Sequence, residues 1–175
     1  MNYFEFYGIP VSFVVDEKSV RDKFLSLSKK LHPDFYVNES SEKQQEMLEQ
    51  STRNTKVYET LSDFDKRMKY ILEEKQLIYE GERYTLSPDF LMEMMDINEG
   101  LVELKDNPDE TRLTDYKGEI ESLLQDLFSE VKEEINSYDG TPEKESMLTK
   151  IKDYYYRKKY LLRIQRSLDT LAARS

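Results

Sequence analysis

Between Asp16 and Leu31 the apolar residues Val20, Phe24, Leu27 and Leu31 recur at steps of four, three and four, which places them on one face of a helix. Pro33 stops that helix, because the residue before a proline is pushed out of the helical region. From Ser40 to Leu61 the chain is mostly polar, with Met47, Leu48, Val57, Tyr58 and Leu61 as a thin stripe, and a shorter helix is predicted from about Asp63 to Glu74. Leu77 to Leu86, with Gly81 and Tyr84, reads as a connector. Ser87 then offers an N-cap, Pro88 a first-turn proline and Asp89 a negative charge at the positive end of a helix dipole. Three helices are predicted after it, at 89–106, 110–137 and 142–172. The middle one carries Leu113, Tyr116, Ile120, Leu123, Leu127, Val131 and Ile135 as a single stripe. Asn107 with Pro108, and Gly140 with Thr141 and Pro142, mark the turns; three helices joined this closely pack as an antiparallel bundle. Alternating β-branched runs are nearly absent, so the fold class is all-α.

Composition narrows the chemistry. Of 175 residues, 38% are hydrophobic and 35% charged, a lean balance that suits slim helical layers. The formal net charge is −10: 12 basic and 15 acidic residues up to position 80 give −3, and 14 and 21 beyond it give −7. Neither part is a cationic module, which argues against nucleic acid and anionic membrane as partners. With no cysteine there is no disulfide, no thiolate nucleophile and no sulfur ligand for zinc or an iron–sulfur cluster. Metal chemistry would fall to carboxylates and the single His32, and an inward-facing Glu-x-x-His pair is ruled out because Lys29 stands three residues before it. No metal or cofactor is expected. Met1 to Glu5 lack the order of a signal peptide, and no apolar run approaches the roughly 18 residues of a membrane span. The cytoplasm is the expected location.

Two constellations stand out. The first is His32-Pro33-Asp34, directly after a helix whose solvent side holds Lys23, Lys29 and Lys30. One reading makes it a helix stop, with Pro33 breaking the helix and Asp34 starting a turn. The other makes it a functional loop presented by a helical hairpin. Nothing resembling a nucleophile elbow accompanies His32, which disfavours catalysis. The second lies on the helix beginning at Asp89. At about 100° per residue, Phe90, Met94, Ile97, Leu101 and Leu104 form one face, while Leu91, Met95 and Val102 form another roughly 100° away. A peripheral helix needs one such face for its core; the second either closes a packing interface or lies open as a binding patch. Asp96, Glu99 and Glu103 border it with negative charge. On the last helix, Tyr154 and Tyr155 side with Met147, Ile151 and Leu162, whereas Tyr156 and Tyr160 point the other way.

Asn2-Tyr3-Phe4-Glu5-Phe6-Tyr7-Gly8-Ile9-Pro10, Lys29-Lys30-Leu31, the His32-Pro33-Asp34 loop and Val57-Tyr58-Glu59-Thr60-Leu61 resemble the J-domain of the HscB family, the DnaJ-type co-chaperones of iron–sulfur cluster assembly. Arg67, Tyr70, Ile71 and Leu72 match its following helix, and Phe90 to Ile97 resembles the start of its C-terminal bundle. Phe64, Met68 and Thr55 depart from the family's usual proline, alanine and asparagine. The N-terminal cysteine module of some eukaryotic members is missing, which agrees with the expected bacterial origin. The resemblance implies a J-domain over 1–76, a connector over 77–87 and a three-helix scaffold-binding domain over 88–175. It implies that Lys23, Lys29, Lys30, His32, Pro33 and Asp34 engage a DnaK-class chaperone, of HscA or DnaK type, and stimulate its ATP hydrolysis. It further implies that Leu91, Met95, Asp96, Glu99 and Glu103, with Tyr156 as a third apolar anchor, hold the cluster scaffold protein IscU. The chain would then be a regulator of a partner ATPase and not an enzyme. A J-domain co-chaperone for a different client is the alternative.

Overall fold

The computed structural model of the chain describes residues 1–174; Ser175, the last residue of the expected scaffold-binding domain, lies outside them. Among the described residues the regular structure is helical throughout: α1 (Tyr3–Tyr7), α2 (Glu17–Lys30), α3 (Ser41–Leu61), α4 (Phe64–Glu74), α5 (Pro88–Asp106), α6 (Glu110–Ser137) and α7 (Met147–Ala173). Single 3-10 turns fall at Pro33–Phe35 and Pro142–Lys144. The fold is all-α, as the periodicity predicts. The chain forms two compact units, one of Met1–Ile78 with Ile135–Glu145, the other of Tyr79–Glu134 with the chain from Ser146 onward.

In the first unit α2 and α3 make a hairpin. Val20 is buried on the predicted stripe, and the Phe24 ring stacks on Tyr58 at 4.3 Å between centroids. Asn54 holds three helices together. Its amide donates to the Phe24 carbonyl and to Ser28 Oγ, both at 3.1 Å, and its side-chain oxygen accepts from the Tyr7 hydroxyl at 2.9 Å. Buried polar groups need such partners, and here one side chain supplies them for α1, α2 and α3 at once. Thr55, the position compared with the family's asparagine, is exposed and returns its hydroxyl to Ser51.

Arg67 is the other buried polar residue. Its Nε donates to the Phe13 carbonyl at 2.8 Å and its Nη1 to the Leu61 carbonyl at 2.5 Å, so it joins the loop before α2 to the end of α3. Burial lowers its pKa from the usual arginine value, yet a guanidinium remains protonated. Phe64, standing where the resemblance leads to proline, lays its ring 5.7 Å from that guanidinium carbon. The segment 135–145 completes this unit. Tyr138 is buried with its ring 5.3 Å from Phe13, and Lys75 pairs with Glu145 at 2.8 Å. Gly140 adopts φ +84 with Val11 Cβ 3.0 Å from where a side chain would begin, so both conformation and space demand glycine.

The second unit holds α5, most of α6 and α7, the three helices predicted after Ser87. Phe90, Met94, Ile97, Leu101 and Leu104 of α5 are all buried, each contributing roughly 1.5–3 kcal/mol of apolar burial. Arg112 pairs with Glu103, and the Tyr116 ring lies over Gly100, where a Cβ would fall 2.0 Å from the tyrosine oxygen. Glu134 with Lys150 and Lys117 with Asp169 cross between α6 and α7 in opposite chain order, the signature of an antiparallel pair. Asp109 caps α6, accepting from the backbone of Thr111 and Arg112.

Two expectations on the last helix change. Thr141 and Pro142 open a 3-10 turn, and α7 begins at Met147 and not at 142. The Thr141 hydroxyl donates to Asp139 and Lys144 bonds back to the Ser137 carbonyl and Asp139, so these groups close the turn after α6. The buried stripe of α7 runs through Leu148, Ile151, Tyr154, Leu161, Ile164 and Leu168, with Met147 and Leu162 at its margin.

Candidate functional site

The first surface is the end of α2 and the loop after it. Asp16 caps the start of α2, and Lys29 and Lys30 occupy its last turn, where positive charge complements the helix dipole. Lys23 and Lys30 are exposed and two turns apart, about 10 Å along one stripe. His32 takes an extended backbone conformation at φ −63, ψ 131, which Pro33 enforces. His32 Nδ1 accepts from the Asp34 backbone N–H at 3.3 Å and lies 3.6 Å from Asp34 Oδ2. His32, Pro33 and Asp34 are all exposed. The sequence-predicted residues of this surface are thus contiguous, cationic on the helix and open at the loop.

Rigidity comes from residues that lie outside the hydrophobic pattern. The Tyr36 hydroxyl donates to the Lys30 carbonyl at 2.6 Å, satisfying an orphan acceptor at the helix end. Gln44 at the start of α3 donates to the Glu39 carbonyl at 3.0 Å and to the Val37 carbonyl at 3.4 Å. Tyrosine and glutamine at non-periodic positions leave no signal in a hydrophobic pattern; the proline-containing loop is the only pointer to them.

The second surface is the outer face of α5. Leu91, Met95 and Val102 are 41%, 59% and 59% exposed, so the second apolar stripe is open to solvent. Met92 is exposed as well, 67%, and at about 100° per residue it falls among Glu99, Glu103 and Asp96. The result is an apolar ridge beside an acidic one. The acidic ridge is less free than its sequence suggests: Glu103 is ion-paired to Arg112 at 2.8 Å, and this bond raises the Arg112 pKa.

Tyr156 departs from the expectation of an open aromatic. It is half-buried, stacks on Tyr84 at 4.4 Å between centroids, and donates its hydroxyl to Glu82. Lys152 pairs with the same carboxylate at 2.7 Å, and the Tyr84 hydroxyl donates to Asp153 at 2.7 Å. The connector residues Glu82 and Tyr84 cover the α7 face that helical angles alone leave bare. Tyr160, the other outward tyrosine, accepts from Asn98 at 2.8 Å and meets Phe90 edge-on.

Among the described residues no group of three or more His, Cys, Asp or Glu is placed to hold a metal ion, and no helix is long and apolar enough to cross a membrane.

Comparison with known proteins gives a consistent set of likenesses. Residues 86–169 match the family described as the HSCB C-terminal oligomerisation domain. The chain is 30% identical to a co-chaperone protein HscB homolog of Vibrio parahaemolyticus, over 78% of this chain and 81% of that protein. It is also 30% identical to the homolog of Aliivibrio salmonicida over the same shares. Among solved structures, chaperone HscB from Vibrio cholerae superposes with a TM-score of 0.74 at 22% identity, covering 99% of both chains. Human co-chaperone protein HscB superposes with a TM-score of 0.77 at 22% identity, covering 97% of this chain and 81% of that one.

Proposed function

Because this chain belongs to the HscB co-chaperone family, we propose that it carries the iron–sulfur scaffold protein IscU to a DnaK-class chaperone and triggers that chaperone's ATP hydrolysis. In this reading the J-domain over 1–76 lies in the first unit, which also takes in 135–145, while 77–87 is the connector and α5, α6 and α7 supply the scaffold-binding domain. The observation that carries the reading is the pairing of a cationic helix and open His32-Pro33-Asp34 loop in one unit with an open apolar and acidic helix face in the other.

Lys23, Lys29 and Lys30 supply charge complementarity to an acidic face of the chaperone, which speeds encounter. His32, Pro33 and Asp34 then bias the chaperone toward its hydrolysing state, so the chemistry is the partner's and this chain is its regulator. On α5, Leu91 and Met95 bury against apolar residues of the scaffold while Asp96, Glu99 and Glu103 face its basic ones. Arg112 shares Glu103 and moderates that attraction. Tyr156, the third apolar anchor in this reading, is held in place by Glu82 and Tyr84. The cytoplasm of a bacterium is the proposed setting.

The test is steady-state ATPase of the organism's DnaK-class chaperones with and without scaffold. Wild type is expected to stimulate hydrolysis, with amplification by scaffold, and His32→Gln to abolish it. Leu91→Ser with Met95→Ser is expected to remove the scaffold effect, weakening scaffold binding about tenfold or more, while stimulation without scaffold persists. Unchanged scaffold affinity in a folded double variant overturns the client assignment and leaves a J-domain co-chaperone for another protein.

A further inference from the structure

Two apolar side chains directly after the tripeptide have no place in the core. Phe35 is 72% exposed and Val37 64% exposed. Single exposed hydrophobics are ordinary, but these two project from one short loop that the protein holds stiff. Phe35 lies in the 3-10 turn Pro33–Phe35, closed by its own backbone N–H on the His32 carbonyl at 3.1 Å. Tyr36, between the two, points the other way and is bonded to the end of α2, and Gln44 fixes the Val37 carbonyl. The braces lock the loop while leaving the apolar groups outside. Folding alone gives no reason for a bulky aromatic there; burial of either side chain has to come from a partner.

The His32 and Phe35 rings lie edge to face with centroids 6.4 Å apart. A surface that closes over His32 therefore closes over Phe35 as well. Lys29 and Lys30 stand on the helical side of the loop, so the fitting surface is acidic where it meets α2 and apolar where it meets the turn. We propose that Phe35 and Val37 are affinity anchors of the chaperone-docking loop, inserted into an apolar recess of the same DnaK-class partner that receives His32, Pro33 and Asp34. The inference rests on the chaperone reading above and assigns the two residues a role separate from the trigger: they hold the complex, and the tripeptide acts within it. Pre-organisation explains the bracing, since a loop ordered beforehand loses little entropy on binding.

The experiment measures chaperone ATPase against concentration of the intact protein. Phe35→Ser with Val37→Ser is expected to raise the half-maximal concentration about tenfold or more while the plateau at saturation stays at the wild-type level. Phe35→Leu, which keeps an apolar anchor, is expected to stay within a few-fold of wild type, and His32→Gln to lose the plateau itself. Circular dichroism and thermal melts of the serine variants are expected to match wild type, because the mutated side chains are exposed. An unchanged half-maximal concentration in the serine double variant, with His32→Gln inactive, overturns the anchors and leaves the chaperone reading intact. A lowered plateau in the double variant makes Phe35 part of the trigger and also overturns the proposal. Wild type that stimulates no DnaK-class chaperone removes the reading and the anchors together.

Discussion

At the scale of single residues, the polar groups in the interior decide more than their number suggests. Asn54 satisfies the Phe24 carbonyl, Ser28 and Tyr7 together. Asn54→Ala leaves these groups underpaired in a dry environment, and a loss of about 2–3 kcal/mol is expected in urea unfolding. The same burial raises the Tyr7 phenol well above its ordinary pKa, which marks how little water reaches the joint. Nothing in the local sequence reveals this role. An asparagine in a polar helix looks like any surface position until the helix is docked, and the resemblance to the family's pattern falls on its neighbour Thr55. The tripeptide at 32–34 is the opposite case: a proline after an amphipathic helix and a lone histidine are visible as letters, and the exposed loop follows from them. Phe35 and Val37 were equally visible, yet their exposure depends on where Tyr36 turns.

At the scale of elements, every helix with a strong apolar stripe was legible, and the second stripe of α5 was legible down to its individual residues. What periodicity does not carry is covering by segments that have no period. The 141–146 stretch bears genuine helix-start signals, Thr141 and Pro142, which the chain uses for a 3-10 turn instead. The strap of Glu82 and Tyr84 on α7 is invisible for the same reason. Its energetics are readable through pH. Burial, reinforced by the hydrogen bond to Asp153, pushes the Tyr84 hydroxyl up from 10.0 to about 12. A raised pKa means that the strap's contribution is complete below pH 10 and is lost as pH rises through about 12. In a tyrosinate absorbance titration, Tyr84 and Tyr156 are expected to ionise above the ordinary tyrosine value of 10.0. Tyr84→Phe is expected to flatten the fall in stability across that alkaline window; an unaltered alkaline limb would remove the strap's contribution.

At the scale of the whole molecule, the first unit is discontinuous: it takes in residues 135–145 after a long excursion. That returning turn has its own electrostatic lock. Lys144, aided by Thr141, holds the Asp139 carboxyl down from 3.8 to about 2. A depressed carboxylate contributes stability above its unfolded value and loses it as pH falls through its folded one. Asp139→Asn is therefore expected to flatten the acid limb of the unfolding curve between pH 3.8 and about 2, measured by circular dichroism. The discontinuity also sets an order of events on the ribosome. Phe13 and Val11 are synthesised early, but Tyr138 and Gly140, which pack against them, emerge only after α5 and all of α6. At about 5–20 residues per second the delay from residue 78 to residue 145 is roughly 3–13 s. For that interval the nascent hairpin carries an uncovered apolar patch, so a chain built to assist chaperones begins its own life with the kind of surface that chaperones recognise.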